Sequence, residues 1–164
     1  MSTPVTTFYL EMTSANDLKA KPPRDDLHIV ECEIPQPQLN RFLYQLVGAT
    51  WNWTDLNRWS DAQWQAMVEQ EGHRTWVGYH RGAIAGYFEL YRPDGSDVEI
   101  RYFGLAPQFI DQGFGGVLLS QAITQAWAWP GTRRVWVHTC SLDHPAALAN
   151  YKARGMRLYK EEVA

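Results

Sequence analysis

A chain of 164 residues holds one domain and is too short for two comfortable cores. With 45% hydrophobic and 20% charged residues it has the composition of an ordinary globular protein, and a net charge of −3 supplies no field that would hold it to nucleic acid or to an anionic membrane. Its two cysteines, Cys32 and Cys140, sit in apolar, strand-like stretches without metal-ligand spacing, which reads as two buried free thiols in a reducing compartment.

Residues 1–10 carry neither a basic start nor an apolar leader segment, and no apolar run approaches the roughly 20 residues needed to span a bilayer, so the expected location is cytoplasmic. Residues 8–12 (FYLEM) read as a short strand. The charged stretch 19–26 (KAKPPRDD), broken by two prolines, reads as a surface loop. Residues 27–34 (LHIVECEI) alternate apolar and polar side chains, the pattern of a half-buried strand, which Pro35 and Pro37 end. Leu39, Phe42, Leu43 and Leu46 then recur at helical spacing and predict a helix over 38–47 closed by Gly48. Ser60 or Asp61 caps a second helix running to about residue 71, with Trp64, Met67 and Val68 on one side.

From residue 75 the pattern returns to strands. Residues 75–79 and 83–91 flank Arg81-Gly82, a hairpin turn. Residues 93–96 (PDGS) make a second turn, and 98–105 form the next strand of an antiparallel run. A glycine-rich loop over 107–116 leads into a helix with an apolar stripe of Leu118, Leu119, Ala122, Ile123, Ala126 and Trp127, stopped by Pro130-Gly131. A strand over 134–139, a helix over 145–154 started by proline and ended by Gly155, and a strand over 156–160 complete the order. The predicted fold class is mixed α/β (α+β) in a single domain over 1–164. Strands and helices of residues 1–74 precede a core over 75–160, around one central, largely antiparallel sheet flanked by about four helices.

The most informative stretch is 99–119 (EIRYFGLAPQFIDQGFGGVLL), where a strand ends and a glycine loop opens a helix. A helix start carries unpaired N–H groups and the positive end of the helix dipole, and glycines let a ligand come close to that backbone. The combination makes an anion site, most often for phosphate; glycines that serve only a tight turn are the alternative. No Gly-Lys-Ser/Thr follows, which excludes a Walker loop, and the three antiparallel strands before it argue against a dinucleotide-binding fold.

The succession Leu105-x-Pro107, Gln112-Gly113-x-Gly115-Gly116 and an apolar helix resembles the coenzyme A signature of the Gcn5-related N-acetyltransferases (GNAT). Residues 143–156 (DHPAALANYKARGM) resemble that family's Asn-x-x-Ala-Ile-x-Leu-Tyr-x-x-x-Gly-Phe helix, and the resemblance extends over about residues 75–160. Ile110 stands where the family often has Gln or Arg, and His144 where an asparagine contacts the cofactor arm. The resemblance implies acetyl-coenzyme A as co-substrate, held where the sheet splays. Amides of Gln112, Gly113, Phe114, Gly115 and Gly116 would meet the pyrophosphate. The backbones of Phe103, Gly104 and Leu105 would meet the pantetheine arm, with His144 beside it. Gly104 suits a bulge that splays its strand from the next.

Acyl transfer to an amine needs a neutral amine and a proton for the departing thiolate. Tyr151 occupies the family's general-acid position, and a phenol holds its proton at neutral pH; a core tyrosine is the alternative. Glu99 is the candidate base. Strand alternation puts it on one face with Arg101, Phe103 and Leu105. It also stands fourteen residues before Gly113, an offset that resembles the histone-acetyltransferase branch. A salt-bridged surface carboxylate is the alternative. His138 and Cys140 share a strand face without an orienting third group, and His28, His73 and His80 show no metal spacing, so no nucleophile and no metal is assigned.

Four of the eight tryptophans, Trp51, Trp53, Trp59 and Trp64, crowd into residues 51–64, a region that covers the acceptor site in the family. Trp51, Trp53 and Trp59 are the candidate wall for a cationic acceptor; a satellite cluster that pins a loop is the alternative. The expected activity is acetyl transfer to a primary amine of a small molecule. A protein or peptide amine, or a non-catalytic acyl-coenzyme A sensor, are the competing readings. No nucleic acid or membrane partner is expected, and a homodimer is left open.

Overall fold

A computed structural model describes residues 4–164. Its elements are β1 (Thr6–Met12), β2 (His28–Glu31), α1 (Pro37–Gly48), α2 (Asp61–Val68), β3 (His73–His80), β4 (Ala83–Tyr91), β5 (Asp97–Leu105), α3 (Phe114–Ala128), β6 (Arg134–Cys140), α4 (Ala147–Ala153) and β7 (Arg157–Val163). Pro37 opens α1, where its missing N–H costs nothing. A capping box of Ser60 and Gln63 starts α2, answering two N–H groups that the helix leaves free. Arg81 and Gly82, both at positive φ, turn β3 into β4. Among the described residues no helix is long and apolar enough to cross a membrane.

The strands form one seven-stranded sheet in the order β2-β3-β4-β5-β6-β1-β7. Every neighbouring pair is antiparallel except β5 and β6, so the sheet is mixed and largely antiparallel, as expected. One face packs Leu10, Phe88, Leu90, Val98, Ile100, Val135 and Val137 under the apolar stripe of α3 and Tyr151 of α4. The other face carries α1 and α2, with Leu43 and Val47 on Val77 and Tyr87, and Tyr44 packed with Leu56, Trp64 and Met67.

Two long-range features depart from the sequence reading. First, β1 inserts between β6 and β7, whereas β2 lies at the opposite edge. Residues 13–27 must therefore cross the α3 face. Stretch 19–26 is exposed as expected, yet it is tied down as a strap. The Lys19 N–H donates to the Arg154 carbonyl (2.8 Å), the Lys21 N–H to Ser120 Oγ (2.9 Å), and Arg24 to the Gln112 carbonyl (2.8 Å).

Second, the β4–β5 register shifts. Glu89 faces Tyr102 and Leu90 faces Ile100, which leaves Arg101 as the extra residue of a bulge. The bulge reverses the alternation, so Phe103 and Leu105 join Val98 and Ile100 toward α3, while Tyr102 packs toward α1 and α2. Glu99 consequently does not share a face with Phe103 and Leu105. Gly104 stays in register opposite Tyr87 and is not the bulge. Glycine is needed there for a different reason: a Cβ would lie 2.5 Å from Val47 Cγ1. Gly104→Ala is expected to cost about 1–3 kcal/mol by overpacking; a urea titration that shows no loss would mean that α1 simply moves aside.

Candidate active site

The parallel pair β5–β6 is joined at only three positions, Asp97↔Arg134, Val98↔Val135 and Glu99↔Trp136. Past Glu99, β5 continues to Leu105 with no ladder partner on its β6 side. Backbone donors and acceptors there face a widening gap, and buried groups of that kind call for a partner. On one side of the gap Phe103 and Leu105 lean toward α3 and α4. On the other, Gly104 brings the strand against Val47 and Trp53.

The glycine loop heads this gap. Asp111 (φ 66°) and Gly113 (φ 84°) bend the chain into α3, the second at a conformation that favours glycine. Gly113 is the N-cap, and no side chain caps the helix. The N–H groups of the first turn are thus offered outward with the positive end of the dipole. Gly115 and Gly116 lie inside that first turn and not in the preceding loop. A Cβ on Gly115 would sit 3.7 Å from Asn150 Nδ2 and 3.8 Å from Leu105, so this glycine looks into the gap. Asn150 donates to the Gly115 carbonyl (3.2 Å) and joins α4 to the loop. The Phe114 ring is buried beside His80 and Phe109, so only its backbone is left for a ligand. An uncapped helix start, a side-chain-free cradle and an unpaired strand edge together fit a phosphate followed by an amide-bearing arm.

Tyr151 projects from α4 into the α3-side core, 5% exposed, its ring 6.1 Å from that of Phe103. Burial, and then the nearby Asp143 charge, push its hydroxyl pKa well up, so it keeps its proton. Glu99 stands at the last rung of the β5–β6 pair, its side chain 15% exposed. Burial pushes its carboxyl pKa up, while Arg101 and His138 pull it back. Its neighbour across the parting strands is His138, with Nε2 3.8 Å from a Glu99 oxygen. Tyr151 and Glu99 belong to opposite faces of the sheet.

The tryptophans divide between two environments. Trp64 is 2% exposed, with Trp59 and Tyr44 at ring distances of 5.5 and 5.7 Å, which makes this part of the cluster an anchor of the α1–α2 layer. Trp53 packs at a tilt against Tyr44 and Tyr102 (5.7 Å each) and donates its indole N–H to Asp143 (3.2 Å). Trp51 meets the His144 ring edge-on at 5.0 Å. Residues 51–53 therefore reach over to residues 143–144 and roof the open end of the gap. His144 Nδ1 is engaged locally, accepting the Ala146 N–H at 2.9 Å. Asp143 also accepts from the Cys140 N–H (3.0 Å) and the Thr139 hydroxyl. Sequence reasoning did not single out Asp143, Tyr102 or Asn150 and set His138 aside; strand alternation put His138 on one face with Cys140, but only the sheet order brings it to Glu99.

The profile of the Acetyltransferase (GNAT) family matches residues 40–156. No curated protein matches the chain. Among solved structures, a GCN5-related N-acetyltransferase from Sphaerobacter thermophilus superposes with a TM-score of 0.73 at 14% identity, over 97% of this chain and 50% of its own. One from Kribbella flavida gives 0.68 at 15% identity, over 96% and 56%. The chain thus spans about half the length of these relatives. An aminoglycoside acetyltransferase from an uncultured soil metagenomic sample is nearer in length, with a TM-score of 0.61 at 20% identity over 82% of this chain and 93% of its own. The family profile covers most of the chain, including the parted strands, the glycine loop and the α4 helix, and the chain belongs to the GNAT acetyltransferase family.

Proposed function

We propose that the chain transfers an acetyl group from acetyl-coenzyme A to a primary amine of a small molecule. The observation that carries this reading is the parting of β5 from β6 at Glu99, headed by a helix start that no side chain caps. Acetyl-coenzyme A supplies the acetyl group as an activated thioester. Amides of residues 112–116 hold its phosphates, and the free edge of Phe103, Gly104 and Leu105 pairs with the pantetheine amides as an added strand would. Tyr151 keeps a proton for the departing sulfur, and Glu99, directly or through water, takes one from the amine. Trp51 and Trp53 exclude water and face the acceptor, with His144 as their support. The small-molecule acceptor rests on analogy of fold with the soil aminoglycoside acetyltransferase.

The test is thiol release with a panel of small amines and lysine-bearing peptides. Turnover with peptides alone would replace the acceptor assignment. Binding of acetyl-coenzyme A without turnover on any amine would favour the sensor. Glu99→Gln adds a pH signature. The raised carboxyl pKa moves its ionisation, and hence the acid limb of the wild-type profile, to higher pH. Above that limb Glu99 is ionised while most of the amine is still protonated, so a base matters most there. The variant is expected to lose about 10²-fold just above that limb and to recover as the pH approaches the pKa of the amine. A deficit that does not change with pH would assign Glu99 a structural role.

A further inference from the structure

Arg154 ends α4 and is 9% exposed, yet its Nε and one terminal nitrogen are buried without a hydrogen-bond partner. None of the ion pairs among the described residues includes Arg154 or Lys21. Folded proteins seldom leave a buried charge unanswered, because desolvation is not repaid without an opposite charge. The position of this charge is specific. A Cβ on Gly116, in the first turn of α3, would lie 2.6 Å from Arg154 Nη1 and 2.8 and 3.0 Å from Cδ and Cε of Lys21. Lys21 is brought there by the strap, its N–H bonded to Ser120 Oγ, and that hydroxyl donates in turn to the Gly116 carbonyl (2.7 Å). The third cation of this region, Arg24, already pairs with Asp26. Two uncompensated cations from distant parts of the chain therefore meet the positive end of a fifteen-residue helix that no side chain caps.

We propose that Arg154 and Lys21 form an anion subsite at the first turn of α3 that takes a phosphate of the donor. The subsite rests on the donor assigned above and adds to it. Phosphate is held by side chains of α4 and of the N-terminal strap as well as by loop amides, so donor binding locks the strap onto α3 and α4. Gly116 leaves the room for the guanidinium, and the exposed, flexible Lys21 stem moves aside to admit the anion. A pantetheine thioester without phosphate gains nothing from the pair.

Calorimetric titration of wild type, Arg154→Met and Lys21→Met with coenzyme A, inorganic pyrophosphate and pantetheine tests this, with melting curves for each free protein. Each variant is expected to bind coenzyme A about tenfold more weakly, to lose most pyrophosphate binding, and to bind pantetheine as wild type does. Free Arg154→Met is expected to melt no lower than wild type, since an apolar side chain replaces an unpaired buried charge. Should it fold poorly, Lys21→Met, on the exposed strap, carries the test. Unchanged coenzyme A and pyrophosphate affinities would overturn the subsite and leave the donor reading standing. An equal loss of pantetheine would also overturn it, as a structural effect. Arg154-dependent pyrophosphate binding with no binding of coenzyme A would keep the subsite and overturn the donor reading.

Discussion

Replacing Tyr151 by phenylalanine is expected to lower kcat by about 10²-fold or more, the scale of a lost general acid. The ring survives the substitution, so its packing against Phe103 and the α3-side core is kept. Only the hydroxyl is removed, and that hydroxyl is the group whose pKa burial and the Asp143 charge hold well above the usual tyrosine value. A donor that never loses its own proton at working pH is always ready for a leaving thiolate, though the same elevation makes it a poor base. The prediction therefore includes a split: affinity for acetyl-coenzyme A and melting temperature hold while kcat falls. A kcat within about threefold of wild type, about 0.65 kcal/mol by rate arithmetic, would return Tyr151 to a packing role.

The second large effect is expected at Gly115. Acetyl-coenzyme A at about 100 times its Kd should stabilise the native protein by about 2.7 kcal/mol through linkage, and Gly115→Glu should abolish that shift. Gly113 is the less informative position, because at φ 84° any side chain strains the loop whatever the ligand does. Gly115 lies in α3, where a Cβ meets Asn150 and Leu105 only at ordinary contact distances. A carboxylate there projects into the gap and brings negative charge to the anion end of the helix. Gly115→Ala serves as the control for the backbone. A full thermal shift in a well-folded Gly115→Glu protein would remove the phosphates from the first turn of α3.

The elements with strong local periods were legible without a structure. The β3–β4 hairpin around Arg81 and Gly82 and the apolar stripe of α3 stand where expected, because turn chemistry and helical spacing are properties of neighbouring residues. The two motifs that resemble the GNAT signature are of the same kind, since a helix start and a short helix each need only a local run. The helix opened two residues before the expected end of the loop, at Phe114, because glycines at 115 and 116 tolerate helical geometry as readily as loop geometry.

What depended on distant residues was not legible. The bulge at Arg101 arises from pairing with β4, whose Phe88 and Leu90 are committed to the α3-side core; a strand read alone shows unbroken alternation, and so Glu99 was grouped with the wrong face. The composition of residues 19–26 indicated exposure and nothing of their course, which follows from β1 pairing with β6 and β7. Nor does spacing distinguish tryptophans that roof the gap from tryptophans that anchor α2, since both are aromatic residues in one short segment and differ only in what stands opposite. The sequence by itself determined the local elements and the glycine-lined start of α3. The sheet order and its register, set by contacts between residues far apart in the chain, decided which side chains stand together: His138 beside Glu99, Asp143 bonded to Trp53, and the unpaired Arg154 against Gly116.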